Sequence, residues 1–312
     1  MTRAFSFIVA VSLIILTYIF FTPIVSEGDL GLFLPSPNQW HIPRPGGWLI
    51  NSVLLLVALA VMVAANKNFN FIPESAPVMT MCMALLLACN CVTNAELSTS
   101  TLLLLCNAVC IYTLITTYEA RNATREFFII GTLPAIGSLF QYAFILMIPA
   151  YLVGGVLMKS FRFRELVAFM FGLISPYWIA FGLGLLSPLS FNFPGSMTFI
   201  HTSNVDNDIF LSLVAMGAMA FIGVILSLYN GVKLFSRNSR LRSTHMAINL
   251  IGYVSVLAVI LDFNNFMAYY GTLALWLAVQ TATLLHLYNI RQPRWALLIL
   301  LVLFLPVFIF QL

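Results

Sequence analysis

Apolar segments of roughly 20 residues, the length that crosses a bilayer as one α-helix, alternate with short polar stretches along the whole chain. Ten-residue stretches with alternating apolar and polar positions, which are typical of membrane barrels, do not occur. The pattern predicts an all-α fold, a polytopic transmembrane helical bundle that forms one integral membrane domain over residues 1–312.

Most of the helices follow directly from this pattern. We expect them at about 4–23, 48–66, 77–94, 98–118, 166–185, 209–230, 246–262, 266–286 and 295–310. The first apolar run is longer than the apolar region of a signal peptide, and no cleavage site with small residues follows it. We therefore expect an uncleaved first helix.

The apolar run 127–158 is too long for one straight span and too short for two full ones. Basic loops precede and follow it, and cytoplasmic loops are enriched in Lys and Arg, so both loops should lie on the same side. Two short helices, at 127–140 and 143–158, satisfy this rule. Gln141 and Tyr142 then form a turn on the opposite side.

This division gives about 11 helices, with the N-terminus cytoplasmic and the C-terminus extracytoplasmic. It places 13 of the 14 basic residues on the cytoplasmic side. Those 13 are Arg3, Lys67, Arg121, Arg125, Lys159, Arg162, Arg164, Lys233, Arg237, Arg240, Arg242, Arg291 and Arg294. Only Arg44 falls on the outer side.

Composition excludes several classes of protein. Hydrophobic residues make up 61% of the chain and charged residues only 8%, compared with about 25% charged residues in soluble domains. The net charge of +4 is scattered over short loops, which argues against a nucleic-acid partner. The five cysteines lie in two apolar segments without metal-ligand spacing, so no metal site is predicted from them.

The loop 24–47 concentrates the groups that could carry chemistry. It contains Glu27, Asp29, His41 and Arg44 in a chain with few charges, and His201 lies in a second outer loop. Carboxylates are more frequent on the outer face, which suits a site that uses them, with or without a divalent cation held by oxygen ligands. The alternative is that these carboxylates solvate or cap helix ends. Asp262, near membrane depth, is a further candidate.

A resemblance adds a specific hypothesis. The stretch REFFIIGTLPAIGSLFQYAFILMIPAYLVGGVLMKSFRFREL and the S-E-G-D that follows the first helix resemble segments of polyprenyl-phosphate-sugar-dependent glycosyltransferases of the GT-C fold. In that reading residues 1–185 form a GT-C-like core and 186–312 add C-terminal helices. The chain also resembles an uncharacterised family of Bacteroidota inner-membrane proteins, and this resemblance implies a bacterial inner membrane as its location.

The resemblance implies an extracytoplasmic-facing glycosyltransferase that takes a sugar from a polyprenyl-phosphate carrier in the membrane, with inversion. Asp29 or Glu27 would be the catalytic base, because the acceptor must lose a proton. His41, Arg44 and His201 would bind the substrate phosphate, together with Gln141 and Tyr142.

Two features depart from that family. Gln141 stands where members often carry Lys, and the first outer loop is short. Both favour an alternative function, a non-catalytic inner-membrane subunit for assembly, scaffolding or lipid binding, with protein partners in an envelope complex. A transporter is disfavoured because no ionisable residues lie in mid-helix and the two halves do not match.

Overall fold

A computed structural model describes residues 2–21, 33–37, 40, 42–72, 76–185, 207–236, 238–288 and 294–311. Within these ranges the fold is helical, without strands. The α-helices are α1 (Thr2–Phe20), α2 (Arg44–Phe69), α3 (Ala76–Ala88), α4 (Cys91–Asn94), α5 (Thr99–Thr116), α6 (Thr124–Phe140), α7 (Ala143–Leu146), α8 (Ile148–Leu157), α9 (Phe163–Gly182), α10 (Asn207–Leu234), α11 (Ser239–Leu261), α12 (Tyr270–Leu287) and α13 (Arg294–Gln311). A 3-10 helix, Phe263–Tyr269, joins α11 to α12.

The all-α prediction is confirmed, and five described helices are long and apolar enough to cross a membrane. They are α2, α5, α9, α11 and the Phe210–Leu234 part of α10. Shorter apolar helices occur at Ile8–Phe20, Pro77–Ala88, Ala143–Leu157 and Ala296–Gln311. These properties are those of a membrane protein.

Three predicted helices are interrupted in the structure. The helix expected at 77–94 stops at Ala88, because the Asn90 side chain accepts hydrogen bonds from two backbone amides of a new helix, α4. The helix expected at 143–158 breaks at Met147, just before Pro149. The helix expected at 266–286 begins with the 3-10 turns and becomes α-helical only at Tyr270.

The predicted reversal of the run 127–158 is confirmed. The Glu119 amide donates to the Met158 carbonyl at 3.0 Å, and Lys159 Nζ lies 2.9 Å from Glu119 Oε1. Arg164 Nε donates to Thr124 Oγ1 at 2.7 Å. The loops before α6 and after α8 therefore meet at one end of the bundle, and the turn between α6 and α7 lies at the other.

We call the end that contains Glu119 and Lys159 the basic end. The C-terminus of α5 meets the N-terminus of α11 there, because Tyr118 Oη and Ser239 Oγ are 2.7 Å apart. The opposite end, which contains Gln141 and Tyr142, we call the hairpin end. Which end faces the cytoplasm stays a prediction from the distribution of basic residues.

Helix α12 lies in the centre of the bundle. All of its residues from Tyr270 to Thr283 are buried. Its polar groups reach neighbouring helices: Thr272 Oγ1 accepts from Asn107 of α5 at 2.7 Å, and Gln280 Oε1 accepts from Asn230 of α10 at 3.0 Å. Each bond satisfies a group for which water is not available.

Trp276, the largest fully buried side chain, needs glycines around it. A Cβ added to Gly252 of α11 would lie 2.2 Å from Trp276 Cδ2, and one added to Gly223 of α10 would lie 2.7 Å from Trp276 Cζ3. The two glycines therefore set how closely α10 and α11 approach α12.

We predict that Gly252→Ala destabilises the fold by about 1–3 kcal/mol, the usual cost of overpacking a close-packed site. Gly217→Ala in α10 is the control, since an added Cβ there meets nothing within 4 Å and Ala favours a helix by about 1 kcal/mol. Thermal unfolding in detergent micelles should show a lower midpoint for the first variant only. Equal midpoints would contradict the packing account.

The predicted orientation can be tested by labelling single introduced cysteines with a membrane-impermeant maleimide. The five native cysteines are all buried, so the background should be low. We expect Trp40→Cys at the hairpin end to react in intact cells, and Arg162→Cys at the basic end to react only after permeabilisation. The opposite result would invert the proposed topology.

Candidate functional site at the hairpin end

The hairpin end is built around the turn at Gln141 and Tyr142. The Gln141 backbone is extended, and its amide donates to the Gly137 carbonyl to close α6. A Cβ at Gly137 would lie 2.2 Å from the Phe144 ring. Gly137 therefore allows the start of α7 to fold back tightly against α6.

The Gln141 side chain is fully buried, and neither its Oε1 nor its Nε2 has a hydrogen-bond partner among the described residues. A buried amide without partners costs about 1–3 kcal/mol in lost solvation. Such a group needs an explanation, and one explanation is that it binds a ligand. The predicted binding residue is thus buried, with free hydrogen-bonding capacity.

The described residues of the loop between α1 and α2 pack against this turn. The Phe33 and Leu34 amides donate to the Leu139 carbonyl at 3.3 and 3.1 Å, and the Trp40 and Phe140 rings are 5.4 Å apart. The Phe33 ring also meets Tyr177 of α9 at 6.1 Å. Residues at the end of α6 and on α9 therefore hold the described part of the loop.

Four of the predicted site residues lie outside the described residues: the two candidate bases, Glu27 and Asp29, and the two histidines, His41 and His201. Of the seven predicted site residues, the structure describes Arg44, Gln141 and Tyr142. Gln141 and Tyr142 are adjacent at the turn, whereas Arg44 is engaged elsewhere.

Arg44 is the first residue of α2, whereas the sequence pattern places it in the preceding loop. Pro45 follows it, and proline suits the first turn of a helix because its missing N–H is not needed there. Arg44 Nη2 donates to the Tyr18 carbonyl at 2.8 Å and to the Phe21 carbonyl. These carbonyls end α1 and lack helical partners, so Arg44 ties the end of α1 to the start of α2. Its role as a phosphate ligand stays a prediction.

A second polar group lies close to the turn. Asp262 Oδ1 accepts from Asn265 Nδ2, and Asp262 Oδ2 accepts from the Tyr269 hydroxyl, both at 3.0 Å. The 3-10 helix that carries Asn265 and Tyr269 packs against α7, which begins directly after Tyr142. The Asp262 carboxyl and the turn thus share the hairpin end.

Burial raises the pKa of Asp262, and the hydrogen bonds from Asn265 and Tyr269 partly oppose that rise. Burial also raises the pKa of Tyr269, and the neighbouring Asp262 carboxylate adds to the increase. Tyr269 therefore remains a neutral donor. Asn265 Oδ1 is buried without a partner in the described structure, so this group also keeps unused acceptor capacity.

Together these residues offer neutral amide and hydroxyl groups beside one carboxylate. That set can donate hydrogen bonds to phosphate oxygens, and it can both donate to sugar hydroxyls and accept from them. Among the described residues no group of three or more His, Cys, Asp or Glu side chains is placed to hold a metal ion.

The sequence pattern identifies Asp262 and Asn265 as polar residues after a helix, but it does not identify Tyr269. The sequence therefore identifies only two of the three members of this hydrogen-bonded group. Tyr269 follows Asp262 by seven residues, and only the tight 3-10 turn brings the two side chains together.

Comparison with known proteins adds no relationship: the chain matches no protein-family profile, no curated protein and no solved structure.

We predict a favourable coupling of about 1–2 kcal/mol between Asp262 and Tyr269, since hydrogen bonds to ionised groups are the stronger ones. A double-mutant cycle with Asp262→Ala and Tyr269→Phe, read from unfolding free energies at pH 7, measures it. Tyr253→Phe is the control, because it also removes a tyrosine hydroxyl, but one that pairs with Ser227 and not with Asp262. Its effect should add to that of Asp262→Ala without coupling. Additive effects of Asp262→Ala and Tyr269→Phe would contradict the pairing.

Proposed function

We propose that this protein is a membrane glycosyltransferase that uses a polyprenyl-phosphate-linked sugar at its hairpin end. The observation that supports the proposal is the packing of the first outer loop on the α6–α7 turn, through the hydrogen bonds of Phe33 and Leu34 with Leu139. The described part of this loop lies beside the buried amide of Gln141, which has no hydrogen-bond partner among the described residues, and Glu27 and Asp29 of the same loop would reach the site in this proposal.

In the proposed reaction, Asp29 or Glu27 takes the proton from an acceptor hydroxyl. The acceptor oxygen forms a bond to the anomeric carbon from the face opposite the phosphate. The bond from that carbon to the phosphate oxygen breaks, and the polyprenyl phosphate leaves with the electron pair. Hydrogen-bond donors that face the phosphate stabilise the charge that develops there.

Gln141 takes the role of such a donor in this proposal. Its neutral amide replaces the lysine of the family that the chain resembles, so it can orient a phosphate but cannot neutralise it. A buried donor without a protein partner loses little when a ligand oxygen arrives, because its solvation cost is already incurred. Tyr142 and the two outer histidines would complete the phosphate contacts.

One observation favours a second candidate function, a non-catalytic subunit that binds lipid or scaffolds an envelope complex. The Arg44 guanidinium, the expected outer cation, already donates to the Tyr18 and Phe21 carbonyls. A leaving phosphate gains most from a cation. With Arg44 engaged and Gln141 neutral, the described hairpin end is better suited to binding than to catalysis of phosphate departure.

We predict that Gln141→Leu abolishes the function of the protein while its thermal stability is unchanged or higher, because an unpaired buried amide is replaced by an apolar group of similar size. The readouts are envelope glycan composition in a complemented deletion strain and the unfolding midpoint of the purified protein. Gln280→Leu is the matched control, because Gln280 is buried but hydrogen-bonded to Asn230. The Gln280→Leu variant should have a lower unfolding midpoint than the native protein.

The paired variant Glu27→Gln with Asp29→Asn separates the two functions. Loss of glycan transfer at a normal protein level supports the enzyme. Normal glycans in this variant would reject a catalytic carboxylate there. If the tagged variant also retained partner proteins in a mild detergent, the subunit reading would replace the enzyme.

A further inference from the structure

A cavity of about 310 Å³ opens at the basic end, away from the hairpin end. Its walls are the C-terminal ends of α2 and α12 and the N-terminal turns of α11. The polar groups among the lining residues are Asn70, Asn238, Arg240, Thr244 and His286, and phenylalanine and leucine side chains form the rest. None of the described lining residues is acidic.

Arg240 supplies a positive charge at this cavity. Its guanidinium lies 5.3 Å from the centre of the Phe69 ring and 5.9 Å from that of Tyr118. These aromatic faces hold a cation and still leave its N–H groups able to donate. In the described parts of the chain no carboxylate forms an ion pair with Arg240, since Glu119 pairs with Lys159.

Thr244 is an independent indication of a ligand. Its side chain is only 1% exposed and lines the cavity, and the structure gives its hydroxyl no hydrogen-bond partner among the described residues. Buried threonine hydroxyls in helices often bond to a carbonyl one turn earlier, but this one does not. A hydroxyl held unpaired at a cavity wall can donate to a ligand oxygen.

Helix ends contribute to the field in the cavity. The N-terminus of α11 has no side-chain cap from Asn238, so its first amides are available, with roughly half a positive charge. The C-termini of α2 and α12 each bring roughly half a negative charge. Among the described groups, the full charge of Arg240 together with the partial charge of the α11 terminus exceeds the negative partial charge of the other two helix ends, which favours an anion in the cavity.

We propose that this cavity binds the phosphate group of an anionic ligand, with Arg240 and Thr244 as direct contacts. Arginine suits phosphate because its planar fork donates to two oxygens. The aromatic and leucine lining would suit the glycerol and upper acyl carbons of a lipid, and the same polar groups would also suit a free phosphate ester. This site is separate from the proposed transferase site and does not depend on it.

Titration calorimetry of the full chain in nonionic micelles tests the proposal, with dihexanoyl phosphatidate and glycerol 3-phosphate as probes. We expect binding of a phosphate probe that weakens about tenfold in Arg240→Ala, the effect of losing a charge-assisted contact. Thr244→Val, which removes only the hydroxyl, should weaken it about fivefold. Arg240→Lys should recover part of the affinity.

Arg242→Ala is the matched control, because Arg242 lies over the Phe235 ring and does not line the cavity. The Arg242→Ala variant should bind the phosphate probe with the same affinity as the native protein. Preference for phosphatidate identifies a lipid headgroup, and equal binding of both probes identifies a free phosphate ester. The proposal fails if neither probe binds, or if the Arg240 and Arg242 variants lose affinity equally.

Discussion

The structure depends on satisfying the polar groups of α12 in a place that water does not reach. A buried polar group without a partner is costly in a protein core, and the cost is at least as large in a bilayer. Thr272 and Gln280 therefore bond to helices on different sides of α12, and the Trp276 Nε1 donates to Asn249 of α11 at 3.1 Å. Apolar packing alone would allow these helices to slide or rotate. The hydrogen bonds fix their register.

This requirement explains which parts of the fold the sequence predicts. Hydropathy and the distribution of basic residues act over whole helices, so they give the spans and the reversal at Gln141. Neither signal reports single hydrogen bonds, so the break at Asn90 and the 3-10 turns before Tyr270 are not predicted. Arg44 illustrates the limit: the sequence offers a free cation, and the fold engages it with carbonyls of α1.

The two ends of the bundle differ in the kind of polar groups that they carry. At the basic end, charges meet aromatic rings and the carboxylates of Glu119 and Glu165. The Lys159 and Glu119 contact is exposed there and raises the pKa of Lys159 while it lowers that of Glu119. At the hairpin end, neutral amides and hydroxyls surround Asp262, and the Arg44 guanidinium donates to backbone carbonyls of Tyr18 and Phe21. The basic end is thus suited to charged headgroups, and the hairpin end is suited to groups that are recognised by the direction of their hydrogen bonds.

Helices α6 and α9, which carry part of the candidate transferase site, do not pack closely on α12. Helix α9 packs along α6 by direct backbone contact: a Cβ on Gly131 would lie 2.4 Å from the Phe169 carbonyl oxygen, and one on Gly172 would lie 2.3 Å from that of Phe128. Small residues at a crossing allow close approach. The opposite face of α9 is exposed and apolar, with Trp178 at 77% exposure.

That arrangement bears on the lipid-linked substrate that we propose. Within a bilayer the exposed face of α9 would contact acyl chains, and α9 ends beside the first outer loop, where Tyr177 meets Phe33. A carrier chain that lies along α9 would bring its phosphate to the level of the Gln141 turn.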